Sequence, residues 1–198
     1  MIEVVVVDLG VVAARFRPEW RLNALSAASG VTREVLRQRL FDSGLEARSE
    51  LGDLLPEEVM AAVQAALDGR MEVDEVVEAW ALAFEVDPNV LACVDGVDVR
   101  TALFTNNGPM LDACLSGPLS VLKQSFDDIV CSWHLKARKP DFAAFERAAE
   151  HLVCPPDRLL LLDDSDANVE AAVGCGWQAE RVTDAAEMRT AIARIARR

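Results

Sequence analysis

The chain has 198 residues, of which 52% are hydrophobic, and its formal net charge is −13. This composition argues against intrinsic disorder, and the negative charge argues against nucleic acid or an anionic membrane as a partner. No apolar run approaches the ~20 residues that cross a bilayer, no basic segment precedes an apolar one at the N-terminus, and the scattered cysteines form no CxxC pair. We therefore expect a cytoplasmic protein with free thiols, either a monomer or a homodimer.

A short run of valines opens the chain and predicts its first strand. Val4 to Val7 is β-branched throughout, as is typical of a strand covered on both faces in a parallel sheet. The run stops at Asp8, which is followed by Leu9 and Gly10. Because open α/β sheets bind ligands beyond the carboxyl ends of their strands, Asp8 is a candidate site residue. An ordinary turn or cap aspartate is the alternative.

From about Pro18 to Phe84 the sequence has the pattern of helices. Helices are predicted over Pro18 to Ala28, after an N-cap at Thr32, from Pro56 onward, and over Asp74 to Phe84. No segment of this block has the pattern of a strand. The sequence therefore predicts an all-helical cap domain at 15–84, inserted into a core domain formed by 1–14 and 85–198.

Strands and helices alternate in the remainder of the chain. This alternation predicts a doubly wound parallel sheet of the Rossmann-like α/β class. The predicted strands are Val97 to Phe104, Ile129 to Cys131, Leu159 to Leu162 and Gln178 to Val182. The predicted helices lie within Pro109 to Leu122, interrupted near Gly117, and over Phe142 to Leu152, Ala167 to Gly174 and Asp184 to Arg198. In the second of these helices, Phe142, Phe145 and Ala149 are expected to face inward.

Three further polar clusters follow the first one along the chain. They are Thr105 to Asn107, Arg138 to Pro140 and Asp163-Asp164, and the first and last of them directly follow apolar runs. Taken singly, Lys139 is most simply a surface lysine, Thr105 a strand-end residue, and the acidic pair a helix N-cap. Taken together with Asp8, and in this order, the clusters resemble the four motifs of the haloacid dehalogenase-like (HAD) hydrolase superfamily.

The resemblance implies a magnesium-dependent phosphatase of a small phosphorylated metabolite. In that family the first aspartate, here Asp8, attacks phosphorus and forms an aspartyl-phosphate. It implies Mg²⁺ held by Asp8, by the backbone carbonyl of Gly10, by Asp164, and by Asp163 through a water molecule.

The resemblance also assigns the groups that face the phosphoryl oxygens. Lys139 would neutralise charge on Asp8 and on a phosphoryl oxygen. The Thr105 hydroxyl and the Asn106 amide would donate hydrogen bonds to the phosphoryl group. Asn168 is a candidate for ordering the acidic loop, with a helix-cap or surface role as the alternative. Arg15, Arg17 and Arg48 are candidates for facing the site, although surface charge is their simpler interpretation.

Gly10 departs from the usual family pattern. Most phosphatases of the superfamily have a second aspartate there, which protonates the leaving oxygen and later activates water. The Asp-Leu-Gly variant, with the run Arg138-Lys139-Pro140-Asp141, looks most like sugar-phosphate phosphatases and the phosphatase domain of soluble epoxide hydrolases. Either a cap residue or a water molecule supplies the proton, or the substrate has a good leaving group, or the protein is a weak or inactive relative that binds phosphorylated ligands. A dehalogenase is a further alternative, but dehalogenation leaves the acidic pair without a role.

Overall fold

A five-stranded parallel sheet forms the centre of the molecule, and its strands run in the order Asp128–Cys131, Arg100–Thr105, Val4–Val7, Leu159–Asp163 and Gln178–Arg181. The structure is a computed structural model, and it describes residues 1–195. The strands are β1 (Val4–Val7), β2 (Ala14–Phe16), β3 (Phe84–Val86), β4 (Arg100–Thr105), β5 (Asp128–Cys131), β6 (Leu159–Asp163) and β7 (Gln178–Arg181). The predicted α/β class and the parallel sheet are confirmed.

The run of valines forms the central strand because both of its faces are covered. Val4 and Val6 pack into the apolar cluster that also holds Phe145, while Val5 and Val7 pack into the cluster on the opposite face. This alternation follows from the two-residue period of a strand. Since β-branched side chains are buried on both sides of β1, the strand is fixed in the middle of the sheet.

Helices cover both faces of the sheet, as expected for a doubly wound fold. Residues of α10 and α11 pack with Val4 and Val6, and residues of α6, α7, α8 and α12 pack with Val5 and Val7. The helices are α1 (Pro18–Ser29), α2 (Arg33–Arg37, continued by a π-helical turn over Gln38–Asp42), α3 (Leu45–Glu50), α4 (Pro56–Ala66), α5 (Val73–Ala81), α6 (Pro88–Val94), α7 (Met110–Leu115), α8 (Ser120–Ser125), α9 (Ser132–Leu135), α10 (Phe142–Leu152), α11 (Asp166–Gly174) and α12 (Ala185–Ile195). No helix among residues 1–195 is both long enough and apolar enough to span a membrane.

Helices α1 to α5 form the insert that follows β1, and a two-stranded ribbon leads into and out of it. Strands β2 and β3 pair antiparallel, with Arg15 opposite Glu85. The all-helical character predicted for the cap at 15–84 is therefore wrong at its edges, which belong to β2 and β3, and the helix predicted to reach Phe84 ends at Ala81. Such short strands, with partners far apart in sequence, leave no local pattern to detect. The short helix α3 was not predicted either.

The side chain of Phe142 is the other departure from the expected packing. It is 57% exposed, whereas Phe145 is fully buried. The ring of Phe142 instead lies against Gly174, where a Cβ atom would come within 2.9 Å of it. Of the predicted terminal helix, residues 196–198 lie outside the described part of the chain.

Candidate active site

Three strand ends bring the predicted residues to one edge of the sheet. Val7 pairs with Leu103 on one side and with Leu162 on the other, so Asp8 is level with Phe104 and Asp163. A cleft of about 300 Å³ opens at this edge. It is lined by Asp8, Gly10, Val11, Phe16, Glu46, Glu50, Phe84, Thr105, Asn106, Asn107, Lys139, Asp164 and Asn168. The structure thus gathers residues from all four predicted clusters around a single cavity.

Lys139 is the cation at the base of this cleft. Its Nζ donates hydrogen bonds to Asp8 Oδ1 at 2.7 Å, Asp163 Oδ2 at 2.7 Å and the Phe104 carbonyl at 2.8 Å. An ammonium group has three protons, and all three are used here. The lysine is only 4% exposed, so the interpretation of Lys139 as a solvated surface residue does not apply.

Asp163 is fully buried and holds its neighbours in place. Besides Lys139, its carboxylate accepts hydrogen bonds from Asn168 Nδ2 at 2.9 Å and from the Ser165 backbone N–H at 3.0 Å. Asn168 therefore has the contacts of a residue that orders the acidic loop, which was one of the alternatives that the sequence left open. Both carboxylate oxygens of Asp163 have protein partners, and the residue does not line the cleft. Its place in a metal site stays a prediction, while its contacts are those of a residue that positions Lys139.

Thr105 and the two asparagines after it form the second wall. Thr105 Oγ1 accepts a hydrogen bond from Asn107 Nδ2 at 2.7 Å, which leaves the hydroxyl proton able to point elsewhere. The Asn106 side chain joins the Lys139 backbone through two hydrogen bonds, of 2.8 and 2.9 Å. The side-chain amide of Asn106 is therefore engaged with the lysine loop, which leaves its second Nδ2 proton and its backbone N–H as the candidate donors to a phosphoryl group. The sequence placed Asn107 in this polar cluster but gave it no role.

The electrostatics of the cleft reflect carboxylates crowded into a buried space. Burial raises the pKa of Asp8 to about 6, with Lys139 opposing the rise and Asp163 adding to it. Burial and the neighbouring Asp163 also raise the pKa of Asp164. Burial lowers the pKa of Lys139, but Asp8 and Asp163 outweigh this effect and the net pKa is raised. The lysine is thus held as a cation among carboxylates that carry surplus negative charge.

The oxygen atoms around Asp8 fit a divalent cation. Within residues 1–195, no hydrogen bond reaches Asp8 Oδ2 or the carbonyl oxygen of Gly10. The backbone hydrogen bonds of this turn run instead from the Val11 N–H to the Ala14 carbonyl and from the Ala14 N–H to the Leu9 carbonyl. Asp164 lines the same cleft. Carboxylate and carbonyl oxygens are the donors that Mg²⁺ prefers, and a cation there would offset the surplus negative charge. The donor set of Asp8, Gly10 and Asp164 is therefore chemically suited to magnesium.

The insert supplies the remaining wall of the cleft. Phe16 and Phe84 come from the ribbon, and Glu46 and Glu50 come from α3. Behind them lies Arg21, which is 1% exposed. Its Nη1 donates a hydrogen bond to Glu46 Oε1 at 3.2 Å, and its Cζ lies 4.1 Å from the centre of the Trp80 ring.

Sequence reasoning missed these carboxylates because a short polar helix carries no pattern that shows which way its side chains point. The candidates Arg15, Arg17 and Arg48 lie off the cleft. Arg15 and Arg48 line other surface cavities, and Arg17 pairs with Glu85.

Comparisons with known proteins agree with this arrangement at the level of the fold. No protein-family profile and no curated protein matches the sequence. Among solved structures, a predicted HAD-like family hydrolase from Porphyromonas gingivalis aligns with a TM-score of 0.78 at 23% identity, over 100% of this chain and 99% of that one.

Two further solved structures share the architecture. The HAD family enzyme BT-2542 from Bacteroides thetaiotaomicron, in complex with magnesium and inorganic phosphate, aligns with a TM-score of 0.72 at 17% identity, over 91% of this chain and 94% of that one. L-2-haloacid dehalogenase from Xanthobacter autotrophicus aligns with a TM-score of 0.60 at 20% identity, over 92% of this chain and 78% of that one. The chain thus has the α/β fold of the HAD-like hydrolases, with a parallel sheet that places Asp8, Thr105, Lys139 and Asp164 around one cleft.

Proposed function

We propose that the protein is a magnesium-dependent phosphatase that acts on a small phosphorylated metabolite through an aspartyl-phosphate on Asp8. The observation that carries the proposal is the convergence of Asp8, Lys139, Thr105 and Asp164 on one cleft of about 300 Å³. This volume lies at the small end of the range of ligand pockets, which suits a small ester.

The chemistry follows from where these groups lie. Asp8 supplies a carboxylate oxygen that attacks phosphorus, while Lys139 neutralises charge beside it and Thr105 donates its free hydroxyl proton to a phosphoryl oxygen. A bound Mg²⁺ supplies the positive charge that lets a carboxylate approach a phosphate dianion. Asp163 and Asn168 hold Lys139 and the acidic loop in the orientation that this requires.

Two observations favour a phosphatase over a dehalogenase. Asp164 lines the same cleft as Asp8 and Gly10, and this set of oxygens suits a cation that a dehalogenase does not need. In addition, the structural neighbour BT-2542 holds magnesium and inorganic phosphate. The Asp-Leu-Gly sequence and the Arg138-Lys139-Pro140-Asp141 run support assignment to the sugar-phosphate phosphatase subfamily.

The test is hydrolysis of p-nitrophenyl phosphate and of a panel of phosphorylated metabolites, with chelator and with added Mg²⁺. Activity should disappear with chelator and return with Mg²⁺. Asp8→Asn keeps the size of the side chain but removes the nucleophile, so it should lower turnover by roughly 10³-fold or more. Asp95→Asn, at an exposed position on the C-terminal end of α6, is the matched control.

Three results would contradict the proposal. Turnover that survives complete metal removal would exclude the magnesium-dependent mechanism. Near-normal turnover by Asp8→Asn would exclude Asp8 as the nucleophile. Binding of phosphorylated compounds with no hydrolysis of any of them would identify a non-catalytic binding protein.

A further inference from the structure

The cleft has no proton donor at Gly10. A phosphatase must give a proton to the leaving oxygen unless the leaving group is already stable as an anion. A Cβ atom at Gly10 would stand 3.7 Å from Asp8 Oδ2, so this position faces the nucleophile but carries no acid. The proton donor has to come from another group on the cleft wall.

Within residues 1–195, the titratable side chains on that wall are Asp8, Asp164, Lys139, Glu46 and Glu50. Asp8 is the proposed nucleophile and Asp164 a predicted metal ligand, so neither serves as the proton donor. Lys139 has committed its three protons to Asp8, Asp163 and a backbone carbonyl. The two glutamates of α3 therefore remain as proton donors.

Glu46 is paired with a permanent cation, although burial raises its pKa above the ordinary value and Arg21 only opposes that rise. The guanidinium of Arg21 is 1% exposed and lies 3.2 Å from the Glu46 carboxylate. A buried arginine without its carboxylate would be costly, since a buried charge needs a partner. Protonating Glu46 would leave Arg21 without that partner, so Glu46 has a structural task that conflicts with acid catalysis.

Glu50 is anchored at the end of α3, where the insert meets the core. Its backbone carbonyl accepts a hydrogen bond from Ser132 Oγ at 2.7 Å, and its carboxylate lies 3.1 Å from Arg138 Nε. Both partners belong to the core, and Arg138 directly precedes Lys139. The insert thus presents Glu50 to the cleft from a fixed position.

Two glycines show how closely this end of α3 is docked. A Cβ atom at Gly108 would lie 2.4 Å from Ser49 Oγ, and one at Gly52 would lie 2.3 Å from the Trp133 carbonyl. Gly52 also has a φ of +66°, which other residues rarely adopt. The residues on each side of Glu50 are therefore packed directly against the core loops beside the site.

The surroundings of Glu50 let it exchange a proton near neutral pH. Its side chain is 15% exposed. The charged groups that face it are Arg138 from the lysine loop, Arg21 from α1 and Glu46 from its own helix. Burial raises the pKa of Glu50 to about 7, with both arginines opposing the rise and Glu46 adding to it. General acids and bases work best when their pKa is close to the operating pH.

We propose that Glu50 is the general acid and base that takes the place of a carboxyl group at Gly10. This inference rests on the proposed phosphatase function. In the first step an Asp8 oxygen bonds to phosphorus, the bond from phosphorus to the leaving oxygen breaks, and the Glu50 proton moves to that oxygen. In the second step water attacks phosphorus, the bond to Asp8 breaks, and Glu50 takes a proton from the water. The net reaction is hydrolysis of the ester, and Glu50 ends as it began.

The experiment compares an aryl phosphate with an alkyl phosphate in the wild type and in Glu50→Gln. Glutamine keeps an oxygen beside Arg138, but it has no carboxyl proton to transfer. The kcat/KM for the alkyl phosphate should fall by about 10²–10⁴-fold, while that for p-nitrophenyl phosphate should fall by less than about 10-fold. Glu85→Gln is the matched control, because Glu85, like Glu50, pairs with an arginine but lies off the cleft.

The second step gives an independent readout that does not depend on substrate preference. In Glu50→Gln the phenol should be released in a burst equal to the enzyme concentration, followed by slow turnover. Mass spectrometry of the quenched protein should show the added mass of one phosphoryl group, and Asp8→Asn should show none.

The outcomes separate this inference from the function on which it rests. If the wild type hydrolyses no phosphate ester, the proposed function fails. If the wild type is active but Glu50→Gln lowers both substrates equally and leaves no phosphorylated enzyme, Glu50 serves only to hold α3 on the core. The selective loss appearing in Glu46→Gln and not in Glu50→Gln would assign the role to the other glutamate. Either of these last two results overturns the inference.

Discussion

Lys139 shows how a single buried residue couples the structure of the site to its chemistry. Its ammonium joins Asp8 to Asp163, and burying these charges is tolerable only because each has a partner. The ring of Phe104 adds a contact 4.9 Å from the ammonium nitrogen. Removing the lysine would leave two carboxylates facing each other in a buried space. The residue therefore stabilises the fold in the absence of substrate and neutralises charge when substrate is bound.

Glu50 makes the stability of the protein depend on pH in a direction opposite to that of an ordinary salt bridge. Its pKa is about 7 in the folded state against an ordinary value of 4.5. A carboxyl group with a raised folded-state pKa contributes stability that is present below the lower value and is lost as pH rises through the higher one. The metal-free protein should thus lose stability between pH 5 and pH 8, and the raised pKa of Asp8 adds to the same trend.

We predict that Glu50→Gln flattens this dependence, because glutamine stays neutral throughout. Relative to wild type, the variant should gain of the order of 1–3 kcal/mol in unfolding free energy between pH 5 and pH 8. Urea unfolding of the metal-free proteins at several pH values measures the difference. Glu57→Gln, at an exposed position on α4, is the control and should run parallel to wild type. A constant difference between Glu50→Gln and wild type across this range would contradict the assignment of a raised pKa.

The sequence predicted those site residues whose positions are set by the strand that directly precedes them in the chain. Asp8, Thr105 and Asp163 each end or follow an apolar run, so the strand itself fixes where they lie. The positions of Glu46, Glu50 and Asn107 depend on how the insert and the loops dock, which no periodicity in the chain records.

At the scale of elements, strand register determines the geometry of the site. Parallel pairing puts Val7 level with Leu103 and with Leu162, which sets the residues that follow them side by side. A shift of one residue in either pairing would also turn buried side chains to the wrong face. The apolar strands could be predicted because a strand buried on both faces consists of apolar residues throughout. The ribbon of β2 and β3 could not be predicted, since each three-residue strand is too short to carry a pattern and forms only by pairing with the other.

Helix α10 ends in a conformation that its sequence does not favour. Val153, at its C-terminus, has a φ of 50° and a ψ of 47°, and it is 87% exposed. A β-branched residue in the left-handed region is strained, while glycine is preferred at this position after a helix.

We predict that Val153→Gly stabilises the protein by about 1 kcal/mol, since it relieves the backbone strain. Little buried apolar surface is lost, because the valine side chain is largely exposed. Chemical denaturation measures the change, and activity should stay at the wild-type level. Val173→Gly is the control, because that valine is also exposed but lies within helix α11, where glycine should destabilise. A loss of stability in Val153→Gly would show that the valine has favourable contacts outweighing its backbone strain.

At the scale of the whole molecule, the helical insert and the α/β core share one apolar interior. The cluster that holds Val5 and Val7 of the sheet extends without interruption to Leu22, Val63 and Val76 of the insert. Helix α5 packs directly on α7 of the core. The insert follows β1 in sequence, but much of its packing comes from the same cluster that covers one face of the sheet.

We therefore predict that the insert and the core unfold together in a single transition. Trp80 of the insert and Trp177 of the core are both buried, at 7% and 3% exposure, so their fluorescence reports on the two regions separately. In variants that retain only one of these two tryptophans, each with Trp20 and Trp133 replaced by phenylalanine, the urea midpoints should coincide with each other and with the loss of helical circular dichroism. An earlier midpoint for the Trp80 signal would mean that the shared cluster divides at the boundary between insert and sheet. Glu50 would then leave the cleft before the sheet unfolds, and the active site would be lost while the core remained folded.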